Sequence, residues 1–151
     1  MSVQTSYSLY PADGYPGLIY GCFPNDIGSF TAETDSGIGF GLAASRGIGD
    51  TGIVCGGDNP FGITLRSLDR EGVYMTSEIR FKKHETVALL RKGYVWAVCV
   101  SGCNVGDVVK SDTITGALSA GDPSEATDAA LKNATWETSA GVGELAVVRM
   151  A

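Results

Sequence analysis

The sequence predicts an all-β protein: a compact β-barrel or sandwich of about ten short strands with an extended N-terminal arm. Three observations predict it. Glycine supplies 21 of 151 residues, about twice ordinary usage. Short apolar runs recur between turn signals at spacings of about 8–12 residues. Hydrophobic residues reach 44 % while charged ones are only 19 %, which suits a real core and many covered strands. The length fits one domain, read as an arm over residues 1–17 and a single barrel or sandwich over 18–151.

The arm comes first. "MSVQTSYSLYPADGYPGL" reads as extended because Pro11 and Pro16 block helix, and Tyr7, Leu9, Tyr10 and Tyr15 give it aromatic surface that needs cover. Leu18 to Phe23 predicts a short strand, stopped by Pro24-Asn25-Asp26. Ile38 to Ala44 predicts a second strand, and Ile53-Val54-Cys55 a third, ended by Gly56 to Pro60. Phe61 to Ser67 alternates with the strand period of two. "ETVALLRKGYVWAVCV" predicts a hairpin with Arg91-Lys92-Gly93 at its turn. Val108-Val109 and Ala117-Leu118 predict another strand, turn and strand. Asp122-Pro123-Ser124-Glu125 carries the cap, first-turn proline and acid of a helix start, extending toward Leu131 as a helical turn or loop at most. Ala134 to Thr138, led by Trp136, predicts a short strand. Gly143 to Met150 is near-continuously apolar and predicts a central final strand.

One stretch poses a chemical question. "GIGFGLAASRGIGDTG", Gly37 to Gly52, contains the glycine run that opens the cofactor site of short-chain dehydrogenases. A phosphate cradle requires the turn to open a helix. Here Asp50 to Gly57 carries further glycines and β-branched residues, which disfavour helix. No tyrosine has a lysine four residues on, as those enzymes require. The glycines therefore read as turns between short strands.

Nothing else assembles a catalytic constellation. The sole histidine, His84, lies in the charged turn Lys82-Lys83-His84-Glu85. No GxSxG elbow is present. Asp69 and Glu71 alternate with Arg66 and Arg70 as a salt-bridged surface. Cys22, Cys55, Cys99 and Cys103 form no CxxC pair and read as free, metal-free thiols. The expectation is no enzyme, no cofactor and no metal. No run approaches the roughly 20 apolar residues that span a membrane, and the N-terminus lacks a secretory pattern. The net charge of −6 argues against nucleic acid as the main partner. Charge is uneven: residues 61–110 hold eight bases and five acids, between an acidic start and finish. The basic turns Arg80, Lys82, Lys83 and Arg91, Lys92 join the arm residues as candidate contacts with a protein partner or a second copy.

The order of these segments resembles the structural cement (capsid decoration) proteins of tailed bacteriophages. The resemblance rests on Pro16-Gly17-Leu18-Ile19, on Ser29 to Glu33, and on Ile38 to Ala43 with its following glycine turn. It continues through "FGITLRS", through "VALLRKGYVWAVCV" followed by "VGDVV", and through the closing "NATWETSAGVGELAVVRM". It covers most of residues 15–150. The Asp122 to Lys132 segment and the four cysteines depart from it. It implies a non-enzymatic protein, made in the host cytoplasm, that binds the major capsid protein on the outer surface of the virion shell and stabilises it. It further implies a homo-oligomer, dimer or trimer, with no nucleic-acid or membrane partner. Two alternatives stand beside it. One is a virion-surface β-module binding glycans through Trp96, Trp136 and the tyrosines, although Trp96 within "YVWAVCV" reads as core. The other is a small-ligand-binding barrel.

Overall fold

Short apolar runs punctuated by glycine can bury themselves only by pairing edge to edge, and among the described residues the strands pair into closed sheets. The computed structural model describes residues 14–21, 23–67 and 80–151. Among these it has no helix and nine strands: β1 (Asp26–Ala32), β2 (Ala43–Arg46), β3 (Gly52–Cys55), β4 (Gly62–Thr64), β5 (Thr86–Cys99), β6 (Val108–Asp112), β7 (Leu118–Ala120), β8 (Asp128–Trp136) and β9 (Glu144–Met150). The hydrogen-bonded order β1-β3-β2-β4-β5 closes on itself through a β1–β5 pairing, and β5-β7-β6-β8-β9 closes through β5–β9. The architecture is two small barrels that share one long strand.

That shared strand corrects the predicted hairpin. Arg91-Lys92-Gly93 is not a turn; β5 runs straight through it for 14 residues. Its first half pairs with β1, Ser29 opposite Ala88. Its second half pairs with β9, Val95 opposite Val148. The crossing shows in the burial: Leu89 and Leu90 are both fully buried, and Arg91 and Lys92 are both exposed. Leu89 enters the first core with Phe30, Ile53 and Val87, whereas Leu90 enters the second with Val95, Val148 and Leu118. Adjacent side chains thus face opposite barrels, each burial contributing about 1.5–3 kcal/mol. Gly93, at φ 133°, accommodates the bend; a side chain there would collide with the Asn25 amide.

Other elements differ from expectation for similar reasons. Pro24-Asn25-Asp26 does not end a strand but leads into β1, which begins at Asp26 and whose polar Ser29 and Thr31 pair with β5. Leu18 to Phe23 is reduced to an isolated bridge between Ile19 and Val95. Ile38 forms only a bridge to Phe81, and the strand starts at Ala43. Phe61 to Ser67 contributes three strand residues, Gly62–Thr64. The capped Asp122 segment forms no helix; Ala129, Ala130 and Leu131 belong instead to β8, drawn into register with β6. Pairing and burial outweigh the local helix signal there. β9 behaves as predicted, lying between β5 and β8.

Candidate interaction surface

The outer face of the second barrel carries an aromatic ridge. Along β5, Val95, Ala97 and Cys99 point into the barrel, so Tyr94 and Trp96 point out. The segment before β1 lies along the same strand: Gly17 donates to the Trp96 carbonyl (2.8 Å), Trp96 to Leu18 (2.9 Å) and Tyr20 to Tyr94 (3.1 Å). This pairing turns Ile19 toward the core and leaves Leu18 and Tyr20 outside. Tyr20 meets Trp96 edge-on, centroids 5.6 Å apart, and Phe23 meets Tyr94 at 4.5 Å. Phe23 remains 47 % exposed. Trp96, expected in the core, is half-buried on this outer face, with Gly14 lying against its indole. Trp136 is the core tryptophan, fully buried.

Beside the ridge, Arg149 stands opposite Tyr94 on β9. A cleft of about 460 Å³ there is lined by Phe23, Lys92, Tyr94 and Arg149 among others. A second, about 450 Å³, runs from Val108 and Lys132 to the same Arg149. A third, about 310 Å³, lies at the first barrel between Thr34, Cys55, Arg80 and Thr115.

Among the described residues, the predicted contact residues lie at separate places. Tyr7, Leu9 and Tyr10 lie outside the described residues, as do Cys22, Asp69, Arg70 and Glu71. Tyr15 is 52 % exposed and packs under the Arg66 guanidinium, 4.7 Å from the ring. Arg80 donates to the Ser36 carbonyl, and Lys83 pairs with Asp35, so this basic turn is tied to its own barrel. Lys82 and His84 are exposed there, His84 at φ 71°. Arg91 pairs with Asp26 at 2.7 Å. Of the predicted cations, Lys92 lies beside the aromatic ridge, lining the cleft with Phe23 and Tyr94.

The glycine-rich turn has a specific task. The Ile48 and Gly49 amides donate to the two carboxylate oxygens of Glu33, at 2.7 and 2.9 Å. The turn is an anion nest, occupied by the chain's own carboxylate. Side chains at 47 or 52 would collide with that carboxylate, which explains the glycines. The two amides hold the Glu33 pKa below the usual carboxylate range. The clamp therefore stabilises the fold fully at neutral pH and is lost as pH falls through Glu33's own depressed pKa. Glu33→Gln should melt below the parent at pH 7, and the gap should close in acid. Thermal melts from pH 7 to acid check this; a gap independent of pH counts against the clamp.

The match to known proteins completes the picture. The family model for structural cement protein (E217 gp24/Pam3 gp6) covers residues 3–151. The chain belongs to the phage structural cement proteins. Its role is structural, in the virion capsid. A solved chain from "The capsid of Myoviridae Phage XM1" shares the fold of this cement protein, with TM-score 0.72, 17 % identity, and coverage of 99 % of this chain and 98 % of that one. Comparison with curated proteins gives no significant match.

Sequence reasoning passed over Phe23, Lys132 and Arg149 in this cement protein, and weighed Trp96 and the tyrosines Tyr20 and Tyr94 only as sugar-stacking residues. Tyr94-Val95-Trp96 alternates with period two, a signal that one face of the strand is aromatic. Which side faces outward depends on the β9 pairing, which is not local. Cys55, Cys99 and Cys103 carry no disulfide. Burial, with Cys99 beside it, pushes the Cys103 thiol up to about 11, so it stays protonated at neutral pH.

Proposed function

We propose that this protein binds the outside of the assembled major capsid protein shell, as a homo-oligomer, and stiffens it. The observation that carries this reading is the cement-family match across residues 3–151. The fold supports it. Two closed barrels fused through one strand make a body whose described strands are paired on both sides, suited to bearing load and to resisting stray strand pairing. Residues 1–17 act in this reading as an adhesive extension of the 18–151 body, through Tyr7, Leu9, Tyr10 and Tyr15. Arg80, Lys82, Lys83, Arg91 and Lys92 supply cations at the rim of the contact, where charge governs approach and register more than affinity. Aromatic anchors each contribute on the order of 1–2 kcal/mol or more at a contact, and repetition over an oligomer multiplies them.

The test is co-sedimentation with purified shells. The parent should pellet with shells and raise their disruption temperature. A variant lacking residues 2–13, which keeps Gly14 on Trp96, should melt near the parent. Its shell binding should fall by at least about tenfold, or roughly 1.4 kcal/mol. Normal binding by the truncated protein would remove the arm from the contact. A parent that does not pellet with shells would overturn the reading as a whole.

A further inference from the structure

The two clefts of the second barrel share Arg149 and Ala151 and so adjoin as the two arms of a trough. A bulge shapes it. Val108 pairs with Thr135 and Lys110 with Ala130, so Leu131 to Ala134 of β8 stand opposite Val109 alone. Asn133 adopts φ 57° to make the excursion, a conformation asparagine tolerates better than most residues. Lys132 is thereby carried to the rim of one cleft, while Lys92 rims the other.

The electrostatics are unusual for a chain of net charge −6. Among the described residues, no Asp or Glu lines either cleft. Three other cations are matched: Lys83 with Asp35, Arg91 with Asp26, Lys110 with Asp128. Lys92, Lys132 and Arg149 have no ion pair among the described residues. Between them the walls are apolar: Val108, Ala134, Met150, Tyr94 and Phe23.

We propose that this trough binds an extended, acidic segment of the shell-forming protein, its carboxylates on Lys92, Lys132 and Arg149 and its apolar side chains against Phe23, Tyr94 and Val108. The inference rests on the capsid-binding reading above and names the partner chemistry. Charge complementarity selects this occupant. In a two-fold contact between copies the same patch faces itself, which sets cation against cation. A polyanion such as DNA meets only these few cations on a body that repels it.

The experiment measures binding of fluorescently labelled protein to purified shells, with melting temperature recorded for each variant. Arg149→Glu and Phe23→Ala should each weaken shell binding by at least about tenfold, with melting temperature close to the parent. Arg149→Lys should keep most of the affinity, because the trough needs the charge. Parent affinity should fall as salt rises, and Arg149→Glu should flatten that dependence. Undiminished binding by Arg149→Glu and Phe23→Ala, in a parent that does bind shells, overturns the trough while leaving the capsid reading intact. A parent dimer in sedimentation velocity that Arg149→Glu dissolves, without effect on shell binding, assigns the surface to a second copy and also overturns it. Parent binding to short DNA that Arg149→Glu abolishes does the same.

Discussion

Trp136→Ala is expected to lower stability by about 3–5 kcal/mol, the range for deleting a large aromatic from a packed core. Trp136 is the largest fully buried side chain. It projects from the end of β8 into the core that holds Leu118, Val109 and Val148. Its indole Nε1–H donates to the Ser119 carbonyl on β7, at 3.3 Å. Its backbone is pinned at both groups, donating to Asp107 (2.8 Å) and accepting from Gly106 (2.7 Å). Those bonds fix where the ring stands, so the barrel wall cannot close over the vacancy. Truncation removes apolar contacts on all sides and leaves the Ser119 carbonyl without this donor. Trp136→Phe should cost less, because it fills more of the volume. Urea denaturation checks both: the midpoint should fall with the slope unchanged. Trp96, the other of two tryptophans, remains as the fluorescence reporter. A loss below about 1 kcal/mol would mean that the second barrel is far more plastic than a close-packed core allows.

How much of this was legible depended on whether the deciding contact was local. β9 was legible because its consecutive buried residues, Ala146 to Val148, read as an apolar run without reference to their partners. The β6–β7 hairpin was legible because Asp112 and Gly116 encode its turn in place. β5 was not. Arg91-Lys92-Gly93 has the composition of a hairpin turn, and only the presence of two cores, one claiming Leu89 and the other Leu90, keeps the strand running through it. β1 was missed because Gly28, Ser29 and Thr31 look like loop residues until β5 lies beside them. The capped segment before β8 shows the reverse error, a correct local signal overruled by pairing with β6. The glycine turn was rightly read as structural. Its true ligand, the carboxylate of Glu33, lies 15 residues before Ile48 and gives no local sign. The proposed contact surface follows the same division. Aromatic residues in the arm are visible as composition, whereas the trough exists only because a bulge in β8 meets β9 and β5.

Gly116→Val is expected to lower stability by about 3 kcal/mol or more, summing a left-handed backbone penalty of about 1–2 kcal/mol with lost hydrogen bonds of about 0.5–1.5 kcal/mol each. Gly116 sits at φ 75° in the β6–β7 turn, where a Cβ would stand 2.6 Å from the Ala43 carbonyl oxygen. The turn is rigid. Asp112 accepts from Ile114 at 2.7 Å and Thr115 at 3.0 Å, and its backbone carbonyl accepts from Gly116 at 2.9 Å. From this turn the second barrel is stitched to the first. Ala43 donates to Gly116 and Gly57 to Thr113, both at 2.9 Å, and the Cys55 thiol donates to Thr115 at 2.9 Å. A valine cannot enter without pushing the turn off β2, so the strain falls on the seam between barrels. In a domain of this size the loss corresponds to roughly 6–12 °C in melting temperature. Gly121→Ala is the control. Gly121 also has positive φ, at 113°, but no atom within 4 Å of its Cβ direction, so it should show the backbone penalty without the seam. Calorimetry of both variants decides the matter. Equal small shifts would show that the seam contributes little; a large shift confined to Gly116→Val would show that the barrels hold each other in place through this turn. On the capsid reading, that seam is also the path by which load applied to one barrel reaches the other.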